Sequence, residues 1–301
     1  MGGGSYVELG GRGVVGVSGP DARPFLQGLV SNDVMRVSPR RAVYAALLSA
    51  QGRYLHDFFI AEIGGALCLD CEAARRGDLL KRLKLYKLRS KVTLEDLTPR
   101  LAVAAIPGPG AAAALALAAE PGAARKTAGG AVFTDPRLAA MGARAILPRE
   151  SLASQLSSAG LTPGAGADYE SLRLTLGLPD GSRDLVVEKS LLLENGFDEL
   201  NGVDWKKGCY VGQELTARTK YRGLVKKRLL PVSIDGPAPA PGAEIKADGV
   251  EAGEMRSASG GRGLALLRLE HLDKALTADA ARVKPQRPDW LRLPQGEPAG
   301  G

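Results

Sequence analysis

Cysteine and histidine are the scarcest reactive residues here: three Cys and two His in 301 residues. An odd and small number of cysteines argues against a disulfide framework and for a reducing compartment, read at this point as the cytoplasm. With only His56 and His271, a four-ligand zinc site has few donors, and no stably bound metal is expected. Aromatics make up 5% of the chain, and Tyr86, Tyr210 and Tyr221 are scattered among its basic residues. A base-stacking platform for nucleic acid is therefore poorly provided for. No apolar run approaches the ~18–20 residues that span a bilayer. Met1–Ser5 has neither a basic nor an apolar signal region. No membrane partner is expected. Gly10-Gly11-Arg12-Gly13 precedes a strand instead of following one, the wrong order for a phosphate loop.

What is present is an ordinary globular composition, 45% hydrophobic and 24% charged, long enough for two or three domains. The net charge of +7 is uneven. Residues 75–91 carry eight Lys/Arg against Asp78, and residues 204–228 carry eight against Asp204 and Glu214. The rest of the chain is therefore acidic overall. Two positive segments on such a background point to an anionic partner, although a charged helix is more often a solvated face.

Hydrophobic patterning predicts an α+β chain. Strands are expected at 13–18, 43–48, 55–63 and 67–71. A helix capped by Asp21 runs through Phe25, Leu26 and Leu29, and a second spans 78–88. A small β-α-β-β unit follows, with strands at 101–106, 131–134 and 143–147, an alanine-rich helix at 111–119, and a loop at 121–130. Residues 169–176 read as a helix. Short strands at 229–234, 244–247, 253–257 and 263–267, at roughly ten-residue spacing, read as a small antiparallel barrel. The last dozen residues read as frayed.

The richest stretch is Lys207-Gly208-Cys209-Tyr210-Val211-Gly212-Gln213-Glu214. Glycines permit positive φ and close backbone approach, and Cys209 follows two lysines that favour a thiolate. Filling a tight turn is the competing reading, and local chemistry alone leaves the two even. Cys68-Leu69-Asp70-Cys71 has CxxC spacing but lies in a strand pattern, where residues three apart face opposite ways. These two sulfurs are expected to be buried core groups. Asp57 is an acid, base or ligand candidate, with turn capping as the common alternative; Asn32-Asp33 carries the same ambiguity. Arg218, Lys220 and Arg222 alternate along what reads as an extended ridge suited to an anion or to solvent.

Lys207–Glu214, continued by Ala217-Arg218 and Tyr221-Arg222-Gly223, resembles the YgfZ family, folate-binding-like proteins related to the glycine-cleavage T-protein and to a mitochondrial iron–sulfur assembly factor. The resemblance extends to Phe25-Leu26-Gln27-Gly28, Ser31-Asn32-Asp33-Val34, Gln51-Gly52-Arg53, Asp135-Pro136-Arg137, Gly142-Ala143-Arg144 and Gly263–Arg268. It implies a three-domain T-protein-like ring around a cavity for tetrahydrofolate. The folate-binding-like region would take residues 1–98 and 150–226, a ferredoxin-like sub-domain 99–149, and the β-barrel 227–301. It implies iron–sulfur cluster assembly or maintenance, with clients that include tRNA-modifying enzymes. Cys209 would be the key thiol, and Gly208, Gly212, Gln213, Glu214 and Arg218 its surrounding motif. Lys207 would hold the thiolate or an anion, Glu214 would pair with that cation, and Tyr210 and Gln213 would orient a bound group. Asn32, Asp33, Asp57, Arg173, Lys206, Lys207 and Tyr210 would contact folate, with the lysines serving its glutamate tail.

Two departures from the T-protein pattern weaken an aminomethyl- or methyltransferase reading. Thr175 stands where that family has a pterin-contacting glutamate, and His56-Asp57 replaces paired aspartates. An RNA-binding accessory role is a further alternative. Iron–sulfur proteins or assembly machinery are the expected partners.

Overall fold

The computed structural model describes residues 4–223 and 225–293 and is built from two packed sheets and a closed barrel. The first sheet has the strand order Val43–Leu48, Tyr54–Ile63, Ala66–Glu72, Arg12–Ser18, Thr93–Asp96, all antiparallel. Its strands are apolar almost without interruption because both faces are covered. Phe58, Ile60, Leu69 and Cys71 face the helices Ala22–Gln27 and Arg76–Lys87. Tyr44, Phe59, Ala61 and Cys68 face the other way, toward Val103, Phe133 and Ile146 of the second sheet.

That second sheet runs Thr162–Pro163, Ser5–Glu8, Leu101–Pro107, Gly142–Pro148, Gly130–Thr134, Ala124–Thr127. It thus reaches beyond residues 99–149 by recruiting strands from both sides. Its outer face is closed by Ala111–Ala114 and Leu152–Ser158, through Leu115, Leu152 and Leu156. The alanine-rich helix ends early, with Ala116 at φ 50°. The expected loop at 121–130 contains the edge strand Ala124–Thr127, because its alternating Arg125 and Lys126 pair with Val132 and Ala131.

The barrel closes with six strands, Lys227–Asp235, Arg262–Arg268, Val250–Ser259, Glu244–Ala247, Leu276–Ala278 and Ala281–Pro285. The last two are short and polar on their outer faces, so periodicity did not reveal them. Helix Gly166–Leu176 packs on the second sheet and on the barrel, and Trp290 ties the barrel back by donating to the Leu176 carbonyl. Asp21 does precede the first helix, but its carboxylate accepts from the Lys91 amide and does not cap. The expectation of a frayed end falls largely on residues 294–301, which lie outside the described residues.

Candidate functional site

The chain from Val203 to Gly212 crosses the end of the first sheet as an irregular loop, and Gln213–Tyr221 follows as a helix. Three contacts stitch the loop to the end of helix Ala22–Gln27. Lys207 Nζ donates to the carbonyls of Gln27 and Val30 at 2.5 and 2.8 Å, Gln27 Nε2 donates to the Lys207 carbonyl, and Val211 N donates to the Gly28 carbonyl. A lysine suits this place because the last carbonyls of a helix lack partners and carry partial negative charge. Its ammonium also lies 4.9 Å from the centre of the Tyr210 ring. Burial lowers the Lys207 pKa to about 8, with Asp33, Asp204 and Cys209 opposing the shift.

The second half of the motif closes on itself. Gln213 Oε1 accepts from Tyr210 N, and Gln213 N donates to the Tyr210 carbonyl. Tyr210 packs into the core between the sheets, where burial pushes its phenol up to about 12. Its hydroxyl finds no well-formed hydrogen bond, although Thr216 lies beside it. Gly212, at φ 79°, rests against the hairpin turn at Ser49–Gly52. Gly208, at φ 92°, has open space where a side chain would stand.

Cys209 is the residue this scaffold leaves exposed. Lys207, Tyr210, Gly212 and Gln213 all turn inward or hold the backbone, and the thiol stands outside on their pedestal. The motif therefore presents a thiol outward. Cys68 and Cys71 are buried on opposite faces of their strand, as expected, and burial pushes both thiols up to about 12.

Several expectations about the motif are corrected. Glu214 does not pair with Lys207; it is exposed and accepts from Arg218 one helical turn away. Lys207 serves carbonyls and an aromatic ring in preference to the thiolate. The supposed extended ridge is the helix Gln213–Tyr221, so Arg218 and Lys220 point in different directions. Lys220 instead pairs with Asp198, lies over the Trp205 ring, and pins the helix there. Tyr221 meets the same indole edge-on.

The residues assigned to folate are scattered, and several of them are already engaged. Asn32 donates to the carbonyls of Tyr44 and Asn201 and accepts from Asp33 N. Asp33 accepts from Met35 N and from the Gln27 side chain, the capping role that was its alternative. Asp57 lies within the strand Tyr54–Ile63, not at its junction with the turn, and is 5% exposed. Its oxygens accept from the Tyr44 and Tyr54 hydroxyls at 2.8 and 2.7 Å. Burial raises its pKa, against the opposing effect of Arg12 and the two phenols. Arg173 is fully buried between Glu170, Asp184 and the Leu178 carbonyl. Lys206 is exposed, with its amide bound to Asp204. Thr175 is on the outside of its helix and donates to the Ser171 carbonyl. Asn32, Asp33, Asp57 and Arg173 are thus bonded within the protein, whereas the Tyr210 hydroxyl is left without a partner and the hydrogen bond at Lys206 is made by its amide. A cleft of about 210 Å³ does touch Asn32 and Tyr44, below the roughly 300 Å³ at which small-molecule sites begin.

Sequence reasoning missed the centre of the molecule. Between the two sheets, Asp70 accepts from Arg12 at 2.6 Å and from Arg144 at 2.7 Å, and Asp135 accepts from Arg137 at 2.8 Å. All three guanidiniums gather around Phe59, that of Arg144 at 4.1 Å from the ring centre. Burial alone would lower the Arg12 pKa, but Asp70, with Asp180 and Asp57, reverses this and raises it. The available signal was Arg144 within the apolar run Gly142–Leu147: an arginine on a two-sided buried strand needs a carboxylate opposite it.

Comparison with known proteins agrees with this architecture. Residues 6–135 match the GCVT N-terminal domain and residues 226–293 the CAF17 C-terminal beta-barrel domain. The glycine cleavage system aminomethyltransferase T of Bartonella henselae superposes with a TM-score of 0.76 over 94% of this chain and 84% of that one, at 16% identity, which speaks for the fold alone. The mitochondrial iron–sulfur cluster assembly factor IBA57 of Homo sapiens is 38% identical, and that of Mus musculus 37%, each over 94% of this chain and 84% of theirs. Those relatives are mitochondrial by name, which overturns the cytoplasmic expectation: few cysteines report a reducing environment, not a particular compartment. With that identity over nearly its whole length, the chain belongs to the IBA57 family.

Proposed function

We propose that this chain is an iron–sulfur cluster assembly factor whose Cys209 supplies one thiolate to a cluster shared with a second protein. The observation that carries this reading is the contrast among its three thiols: Cys209 is held out on a rigid loop, while Cys68 and Cys71 are buried. One cysteine is too few for the usual four thiolate ligands of a cluster, so the remaining ligands must come from elsewhere. The reaction is ligand exchange. Cys209 gives its proton to solvent, its thiolate bonds to iron, and one outgoing ligand takes up a proton. The cluster is cargo. The printed names of the relatives support the same role. The motif shared with the YgfZ family supports extending it to clients such as tRNA-modifying enzymes.

The test uses a glutathione-ligated [2Fe–2S] cluster as donor and follows uptake by visible circular dichroism. The wild-type chain and Cys68→Ala should acquire signal, and Cys209→Ser should not. Equal uptake by Cys209→Ser would refute the proposal. Folate-dependent group transfer and RNA binding are not carried forward. Asp57 and Thr175, at positions central to the first, bond within the protein, and the scattered tyrosines leave the basic segments of the second without a stacking platform.

A further inference from the structure

The basic segment at 75–91 has no part in the Cys209 loop, and its charges divide into two sets. The arginines toward the body of the protein are paired: Arg75 and Arg82 with Asp78, and Arg76 with Asp96. Lys81, Lys84, Lys87, Arg89 and Lys91 have no carboxylate within 4 Å among the described residues. The same segment carries three of the large apolar side chains that the described surface leaves exposed: Leu85 at 68%, Leu88 at 87%, and Tyr86.

Their arrangement follows from helical geometry. Leu79 and Leu83 are fully buried and mark the inner face of helix Arg76–Lys87. Lys81, Lys84 and Leu85 are spaced i, i+3, i+4 and share the opposite face, and exposed Leu88, at φ 42°, follows directly after the last helical residue. Leucine on a solvent ridge opposite the packing ridge is not explained by the core. Unpaired cations beside it are not explained by internal ion pairs.

We propose that this ridge is a peripheral docking surface for an anionic lipid bilayer. The ridge sets exposed aliphatic side chains among cations. A bilayer accepts such a surface without a preformed groove: the leucines enter the headgroup–acyl boundary and the lysines meet lipid phosphates. Nucleic acid would use the cations but gains little from exposed leucine, since its bases stack on aromatic faces. The absence of a spanning run is no obstacle, because a surface contact needs only one apolar ridge.

The placement bears on Cys209. Lys91 is anchored to the start of helix Ala22–Gln27 through Asp21, and Lys207 grips the end of that helix. Six residues at 1.5 Å each make it about 9 Å long. That short helix thus links the end of the basic segment to the Cys209 loop.

Vesicle flotation with the full chain tests this, comparing phosphatidylcholine vesicles with and without phosphatidylglycerol. The wild type should float only with the anionic vesicles, and added salt should weaken the association. Leu85→Ser/Leu88→Ser and, separately, Lys81→Glu/Lys84→Glu should each lower partitioning by about tenfold or more. Both replace exposed residues, so unchanged thermal unfolding should accompany the loss. Lys246→Glu on the barrel should float like the wild type. Failure of the wild type to float, equal flotation with neutral vesicles, unaltered flotation of both double variants, or ridge-dependent binding to RNA in place of vesicles would each overturn the proposal.

Discussion

A Cβ placed on Gly52 would stand 2.7 Å from the carbonyl oxygen of Gly212, and one placed on Gly212 would stand 3.0 Å from the Cα of Gly52. The hairpin turn of the first sheet and the cysteine loop meet backbone to backbone, though 160 residues separate them in sequence. Two motifs that look independent in the chain are one joint in the fold. That joint sets the direction in which Cys209 is presented.

Gly212→Ala should therefore do more than strain one turn. Its Cβ would meet the Ser49 carbonyl at 2.3 Å in addition to requiring positive φ. A loss of at least about 2 kcal/mol is expected in urea unfolding. Gly208→Ala meets nothing and should cost only about 1 kcal/mol, the penalty of the left-handed backbone. Equal losses for the two variants would show that steric contact at Gly212 does not matter.

Thiol labelling separates the three cysteines. In native buffer one thiol per chain should react rapidly with an aromatic disulfide reagent, and in denaturant all three should react. Cys209→Ser should abolish the fast phase while changing stability by less than about 0.5 kcal/mol, as exposed substitutions do. A fast phase that survives in this variant would mean that Cys68 or Cys71 is open to solvent.

Asp70→Asn should be strongly destabilising. It leaves the buried guanidiniums of Arg12 and Arg144 without their shared counter-charge. Breaking a buried pair in this way costs about 3–5 kcal/mol, because the remaining charges stay desolvated. Melting temperature and urea midpoint should fall together, and a change under about 1 kcal/mol would contradict the role of Asp70 as the counter-charge of both arginines.

His56 should make the protein acid-sensitive. It is buried against Asp78, and burial together with Arg75 lowers its pKa from 6.5 to about 4, while Asp78 opposes the shift. Between those values the unfolded chain binds more protons than the folded one. Stability therefore falls as pH drops from 6.5 to about 4, by up to roughly 3 kcal/mol. His56→Gln should flatten that limb of the stability–pH curve measured by urea unfolding. The unchanged slope in this variant would assign the acid limb to other groups.

Much of the fold was legible because its signals are local. Near-continuous apolar runs marked the strands around Phe59 and Ile146, and turn-rich spacing marked the barrel. Very short strands, such as Ala124–Thr127 and Leu276–Ala278, were not legible, since their pairing partners define them. At the site, composition and glycine spacing left Cys209 balanced between a reactive thiol and a turn filler, while strand alternation placed Cys68 and Cys71 on opposite buried faces, as the structure has them. The roles of its neighbours were not. Lys207 looked like a partner for the thiolate and is a clamp on two carbonyls, and Arg218 looked like part of a ridge and is one end of a helical ion pair.

The sequence by itself determined which chemistry is available: one thiol in a glycine-bearing loop, only three cysteines and two histidines in all, and two clusters of positive charge. Tertiary structure decided how that chemistry is used. Exposure, counter-charge and close backbone approach are relations between residues far apart in the chain, and no local pattern encodes them. They turn Cys209 outward, close the centre around Asp70, and leave Leu85 and Leu88 beside unpaired lysines on the surface.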